Sequence, residues 1–332
     1  MRFIVNQTLS LDEAIALPKQ SRQKVAIDIE TVSLGNQLPL GIGIAISPKI
    51  GFYFFNPADE LAREMVASVN KVVFQNAAFD LPKLKSYGYQ VKSYEDTLLI
   101  AYSAGIIEKS LADLSQTILL RECPSVTTLW RKPKQGNIAI DHVKLGQLCI
   151  IHACNTYALE EVLVKTNLYH TIDKPCIELV MEMERWGILI DQYALTRVEQ
   201  SVMDIVVPLE EELKQELGID NLASNPQVAK ALRNKGIIGT RKTKSAKDSV
   251  SEDSLKPLNL PITNKILQWR SWMKTLTTYV PAFRGVDHNG RVHTVFGYTN
   301  TGRWRSGDKE QGKPNLQNIT RDEKFVIKEE DE

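Results

Sequence analysis

Asp28 and Glu30 stand two apart in the run KVAIDIET, which reads as a strand. At that spacing both carboxylates leave the same face of a sheet, where their oxygens are able to share one divalent cation. A solvated strand edge is the plain alternative for a D-x-E pair taken alone. The run before it is apolar, so the acids must emerge at the strand's end or be compensated. Farther along, VVFQNAAFDLPKL reads as a strand running into a helix, with Asn76 as a candidate N-cap and Asp80 four residues on. Near the end, acids give way to donors: RVHTVFGYTNTGRWRSGDKEQGKPNLQNI gathers Thr301, Gly302, Arg303, Asn315, Gln317 and Asn318. Upstream of it, RNKGIIGTRKTKSAKDSVSEDS holds Arg241, Lys242 and Lys244 in a Gly- and Ser-rich segment, by default a solvated loop.

These residues need a scaffold in two parts. KVAIDIET, LGIGIAIS, GFYFF and KVVFQN read as strands, and ADELAREMVASV and EDTLLIAYSAG as helices, which together predict an α/β domain with a mixed sheet covered by helices. After Asp173-Lys174-Pro175 the apolar spacing turns helical in CIELVMEMERWGILI, SVMDIVVPLEEELKQELG and ITNKILQWRSWMKTLTTYV. Trp186, Trp269 and Trp272 at helical spacing are expected in a core rather than stacked on bases. The 332 residues, 43% hydrophobic, suffice for two domains, and a net charge of +1 confines any electrostatic footprint to local patches. The four cysteines form no CxxC pair and the five histidines are scattered, which argues against a structural zinc site. No apolar run reaches a membrane span or a signal peptide, so the chain reads as soluble and intracellular with reduced thiols.

D-x-E followed by N-x-x-x-F-D resembles the first two motifs of the DEDD family of 3′ to 5′ exonucleases. The resemblance implies a ribonuclease H-like fold over residues 1–167 and makes Asp28, Glu30 and Asp80 ligands of Mg²⁺ or Mn²⁺. The family's third motif, Y-x-x-x-D on a helix, lines up with IIHACNTYALEEVL. That alignment puts Ile151 in place of the tyrosine and Asn155 in place of the aspartate, and a shift starting at His152 puts Thr156 at the acid. A neutral asparagine removes one charge from a site for two dications, so the implied exonuclease activity is weak or lost.

The C-terminal donors resemble the T-x-T-G-R-L-S-S and P-N-L-Q-N-I elements of family A DNA polymerases. Pro314 to Ile319 match in full, Thr299, Thr301, Gly302, Arg303 and Ser306 match the first element, and Trp304 replaces its leucine. The resemblance implies a helical thumb over 168–285 and the first part of a palm over 286–332. It also implies contacts of Thr301, Gly302, Arg303, Asn315, Gln317 and Asn318 with primer-template DNA, and of Arg241, Lys242 and Lys244 with phosphates. Arg303 and Gln317 suit minor-groove acceptors that every base pair presents. The palm aspartates and the fingers residues that clamp a dNTP are not found, and Asp331 in KEEDE reads as linker acid. The expectation is therefore one chain of a split, two-chain polymerase. A second polypeptide would bring palm and fingers across a large apolar interface, in the cytoplasm of a bacterium or a phage-infected host. The alternatives are a non-catalytic DNA-binding or processivity module and a stand-alone 3′ to 5′ exonuclease.

Overall fold

β-Branched apolar runs make the strands of the first half, and the computed structural model pairs them as one mixed sheet. It describes residues 2–4, 24–31, 38–125, 141–237, 241–242, 248–299, 301, 303–308 and 312–319. Gly302, Lys244 and Asp331 lie outside these. The strands are β1 (Arg2–Ile4), β2 (Lys24–Thr31), β3 (Pro39–Ala45), β4 (Gly51–Phe54), β5 (Lys71–Phe74) and β6 (Tyr94–Asp96), in the order β1-β4-β3-β2-β5-β6. β2 runs antiparallel to β3 and parallel to β5, so it sits at the junction of the two ladders. Its Val25, Ala26 and Ile27 are all buried, as a strand covered on both faces requires.

Helices α1 (Glu60–Ser68), α2 (Ala77–Ser86), α3 (Thr97–Ser103), α4 (Leu111–Thr117) and α5 (His142–Val162) accompany the sheet. α5 is apolar around most of its circumference and is buried along most of its length, lying across β2, β3 and β4. Two glycines permit that approach. A Cβ at Gly43 would fall 2.7 Å from the Cys149 carbonyl oxygen, and one at Gly146 would fall 2.7 Å from the Tyr53 ring. A π-helical turn, Tyr169–Asp173, leads into α6 (Lys174–Trp186). The chain divides into two compact units, Met1–Arg185 with Asn300–Gly302, and Trp186–Thr299 with Arg303–Glu332.

The second unit is mainly helical. α7 (Gln192–Leu217) starts at Asp191, whose carboxylate accepts from two backbone N–H groups, and ends at Gly218 in the left-handed conformation. Leu195, Val198, Val202, Val206 and Leu213 form its buried stripe, packed with Ile262, Ile266 and Trp269 of α10 (Pro261–Lys274). α8 (Asn225–Asn234), α9 (Glu252–Leu255) and α11 (Val280–Arg284) complete the helices among the described residues. Trp269 is core, with its indole N–H donating to Glu210 at 3.1 Å, and Trp272 is half-buried. Trp186 is 55% exposed under the Arg291 guanidinium, which corrects the expectation of a core tryptophan there. Two short antiparallel pairs follow, β7 (Ile188–Leu189) with β8 (Arg291–Val292) and β9 (Phe296–Tyr298) with β10 (Trp304–Ser306). No described helix is long and apolar enough to cross a membrane.

Candidate metal centre and nucleic-acid interface

In the β2–β3 ladder Asp28 faces Gly43 and Glu30 faces Gly41, and directly opposed residues share a face. Glycine opposite Asp28 lets α5 settle onto the face that bears the carboxylates, while Gly41 opposite Glu30 makes room for the Tyr53 side chain. His152 of α5 arrives there, with Nδ1 3.5 Å from Asp28 Oδ2 and 3.3 Å from Glu30 Oε1. Its Nε2 lies 2.8 Å from the Pro124 carbonyl oxygen, and the adjacent Cys149 thiol donates to the Asp28 carbonyl at 3.2 Å. Burial by itself would depress the imidazole. The Asp28 charge, with side-chain contacts to Asp28, Cys123 and Glu30, reverses that and holds it well above its ordinary range. Burial lifts the Glu30 carboxyl, against the pull of the His152 hydrogen bond and with added repulsion from Asp28.

Asp80 enters from α2 and is buried. Burial first, and then the charge on Asp28, raises its carboxyl well above the carboxylate range despite Lys83. Lys83 is itself brought down to about 8, chiefly by burial. α2 is set in place by Asp96, whose side chain accepts from the N–H groups of Asn76, Ala77, Leu98 and Leu99. Asn76 occupies the cap position with φ +81°, but its side chain makes no cap hydrogen bond, so the expected cap is supplied by a carboxylate from β6.

Asn155 is buried one helical turn beyond His152, and its Nδ2 donates to the Glu122 carbonyl at 3.1 Å. His152 is the residue that sequence reasoning passed over. Its signal was a histidine on the same helical face as Leu145 and Cys149, which pack on the sheet. Lower on α5, buried Glu160 accepts from Lys24, from Lys165 and from Lys71 at 2.8 Å, tying the helix to β2 and β5.

A four-carboxylate set suits two hard dications. The described residues bring together two carboxylates and an imidazole, whose ligand atoms all lie within 4.8 Å of one another. Asp80 is not part of that group, and Asn155 is committed to a backbone carbonyl. These residues do not fit a pair of Mg²⁺ ions.

In the second unit, the Gln317 amide closes on β10: Oε1 accepts from Ser306 N at 3.0 Å and Nε2 donates to the Trp304 carbonyl at 3.1 Å. Asn315 Oδ1 accepts from Gln317 N and from the Ser306 hydroxyl, both at 3.1 Å. The Asn318 carbonyl accepts from Tyr279 at 2.6 Å. Arg303 is exposed, and its backbone pairs with Thr299 at 2.9 Å. Its guanidinium makes no hydrogen bond or ion pair among the described residues. Thr301 is exposed on the chain just before it. In the basic segment Arg241 is bound to Asp253 at 2.9 Å, and Lys242 joins Arg233 on buried Asp248, holding that carboxyl below its ordinary range.

A family model for 3′-5′ exonuclease matches residues 3–175, and one for DNA polymerase family A matches residues 192–330. DNA polymerase I of Rhizobium leguminosarum is 30% identical over 281 residues, covering 76% of this chain and 26% of that protein. DNA polymerase I of Borreliella burgdorferi is 26% identical over 349 residues, covering 96% of this chain and 38% of that protein. The chain therefore spans between a quarter and two-fifths of the length of these relatives. Among solved structures, the POL domain of Pol1 from M. smegmatis in complex with DNA primer-template and dNTP superposes with a TM-score of 0.70. It is 22% identical and covers 96% of this chain and 57% of that one, a likeness of fold.

Proposed function

The chain belongs to the family A DNA polymerases, of which it carries a 3′-5′ exonuclease domain and an N-terminal part of the polymerase region, and from that membership we propose that it grips primer-template DNA during DNA synthesis. Residues 1–167 serve as the exonuclease-like domain, 168–285 as a thumb and 286–332 as the start of a palm. The observation that carries this reading is the Arg303–Gln317 region. Gln317 braces β10 while the exposed Arg303 guanidinium makes no hydrogen bond or ion pair among the described residues, a long donor available to minor-groove acceptors of any sequence. Thr301, Gly302, Asn315 and Asn318 flank it, and Arg241, Lys242 and Lys244 follow phosphates farther along the duplex.

Nucleotide transfer needs palm aspartates with Mg²⁺ and a fingers segment that binds dNTP. A two-chain arrangement, in which a second polypeptide brings both to the duplex in the cytoplasm, is a reading that reconstitution can test. Proofreading is weak or lost because Asn155 stands where the resemblance requires an acid. Fluorescence anisotropy with a labelled primer-template duplex tests the grip: Arg303→Ala is expected to weaken binding about 10-fold or more, and an unchanged affinity overturns the assignment. Co-purification with a palm-fingers polypeptide and restored primer extension test the two-chain arrangement. Release of nucleotides from single-stranded DNA with Mg²⁺, abolished by Asp28→Ala, would instead show a working exonuclease.

A further inference from the structure

We propose that Asp28, Glu30 and His152 form a centre for one divalent cation of the imidazole-accepting class, Zn²⁺ before Mn²⁺ before Mg²⁺. This inference stands apart from the polymerase reading, because it concerns only what these side chains bind.

Spacing is the first argument. Ligands about 2.1 Å from a shared ion stand about 3.0–3.4 Å from each other, whereas a direct charge-assisted N–H···O bond closes to about 2.7–2.9 Å. His152 Nδ1 lies 3.3 Å from Glu30 Oε1, within the shared-ion range, and 3.5 Å from Asp28 Oδ2, just beyond it, and both are longer than a direct charge-assisted bond. Orientation is the second. The Pro124 carbonyl takes the Nε2 proton at 2.8 Å, the outer-shell arrangement that aims the other ring nitrogen of a ligating histidine. A cation taking the position displaces the Nδ1 proton. The third is an orphan: Asp28 Oδ2 is buried and accepts no hydrogen bond among the described residues, a cost that coordination removes.

The donor set fixes the preference. Two carboxylates and an imidazole match Zn²⁺ or Mn²⁺ better than Mg²⁺, which favours an all-oxygen octahedron with retained waters. One ion is assigned because, among the described residues, Asp28, Glu30 and His152 bring their ligand atoms together and the Asn155 amide is engaged on Glu122.

The test is calorimetric titration of the chelator-treated 332-residue chain with ZnCl₂, MnCl₂ and MgCl₂ in separate runs. One Zn²⁺ per chain is expected, bound more tightly than Mn²⁺ and far more tightly than Mg²⁺. His152→Gln should lower Zn²⁺ affinity on the order of 100-fold while changing Mg²⁺ binding little. Two ions per chain, Mg²⁺ bound as well as Zn²⁺, or Zn²⁺ affinity unchanged in His152→Gln each overturn the proposal. So does failure of Zn²⁺ to saturate, which would mean that His152 is itself the cation of a closed ion pair. Should His152→Gln not fold by circular dichroism, pulsed electron paramagnetic resonance of the Mn²⁺-loaded wild type decides the matter. Nitrogen coupling from an imidazole supports the site, and its absence rejects it.

Discussion

A buried amide that donates to a backbone carbonyl is not interchangeable with a carboxylate, and Asn155 is such an amide. Asn155→Asp sets an anion against the Glu122 oxygen. It is expected to destabilise the fold by about 1–3 kcal/mol, seen as a lower melting temperature. An unchanged melting temperature would contradict this, and a gain of Asp28-dependent digestion would identify Asn155 as the residue that weakens proofreading. Glu160 shows the opposite balance. Burial opposes its charge, but Lys165, Lys24 and Lys71 overcome burial and bring its carboxyl from 4.5 to about 2. A depressed folded-state value means that the contribution is complete above about 4.5 and is lost as pH falls from there toward 2. Glu160→Gln should therefore lower stability at pH 7 and flatten the acid limb of a plot of unfolding free energy against pH. An unaltered acid limb would show that the three lysines are not acting on this carboxylate.

At the level of elements, the approach of α5 to β3 decides whether His152 meets the carboxylates of β2. Gly43→Ala places a methyl 2.7 Å from the Cys149 carbonyl, a backbone atom with little freedom to yield. It is expected to cost about 1–3 kcal/mol in urea unfolding and to weaken metal binding, since α5 must lift. A second device acts on α2. Asp96 serves four backbone N–H groups, two at the start of α2 and two at the start of α3. Asp96→Ala leaves all four buried or half-buried donors without this acceptor, with an expected loss of about 2–4 kcal/mol that an equilibrium melt measures. Strands β2 to β5 were legible, because β-branched apolar runs of this length bounded by turn residues have few other outcomes, whereas β1 and β6 are three residues each and Glu95-Asp96 of β6 read as the start of a helix. The cap of α2 was not, because its acceptor comes from a different strand.

For the whole molecule, a net charge of +1 hides how the cations are spent. Arg233 and Lys242 converge on Asp248, and Arg241 on Asp253. Asp248→Asn releases two cations toward a phosphate backbone, so duplex affinity should rise and its salt dependence steepen by about one to two counterions. Unchanged salt slopes would mean that this segment does not touch DNA.

Spacing along the chain was enough to place Asp28 and Glu30 on one face of a strand and Asp80 at the start of a helix. The strand and helix runs, together with the two motif resemblances, also led to the family. These follow from local rules, the period of two in a strand, the start signals of a helix, and matches of residue type at short range. Tertiary structure alone decided that His152 meets the carboxylate pair, that Asp80 is buried with its carboxyl raised, that Asn155 is tied to Glu122, that Gln317 braces β10 and that Trp186 is exposed. Each of these depends on burial or on a contact between segments brought together only by packing. Burial and long-range contact set protonation and partnership, and neither is encoded in the spacing of neighbours.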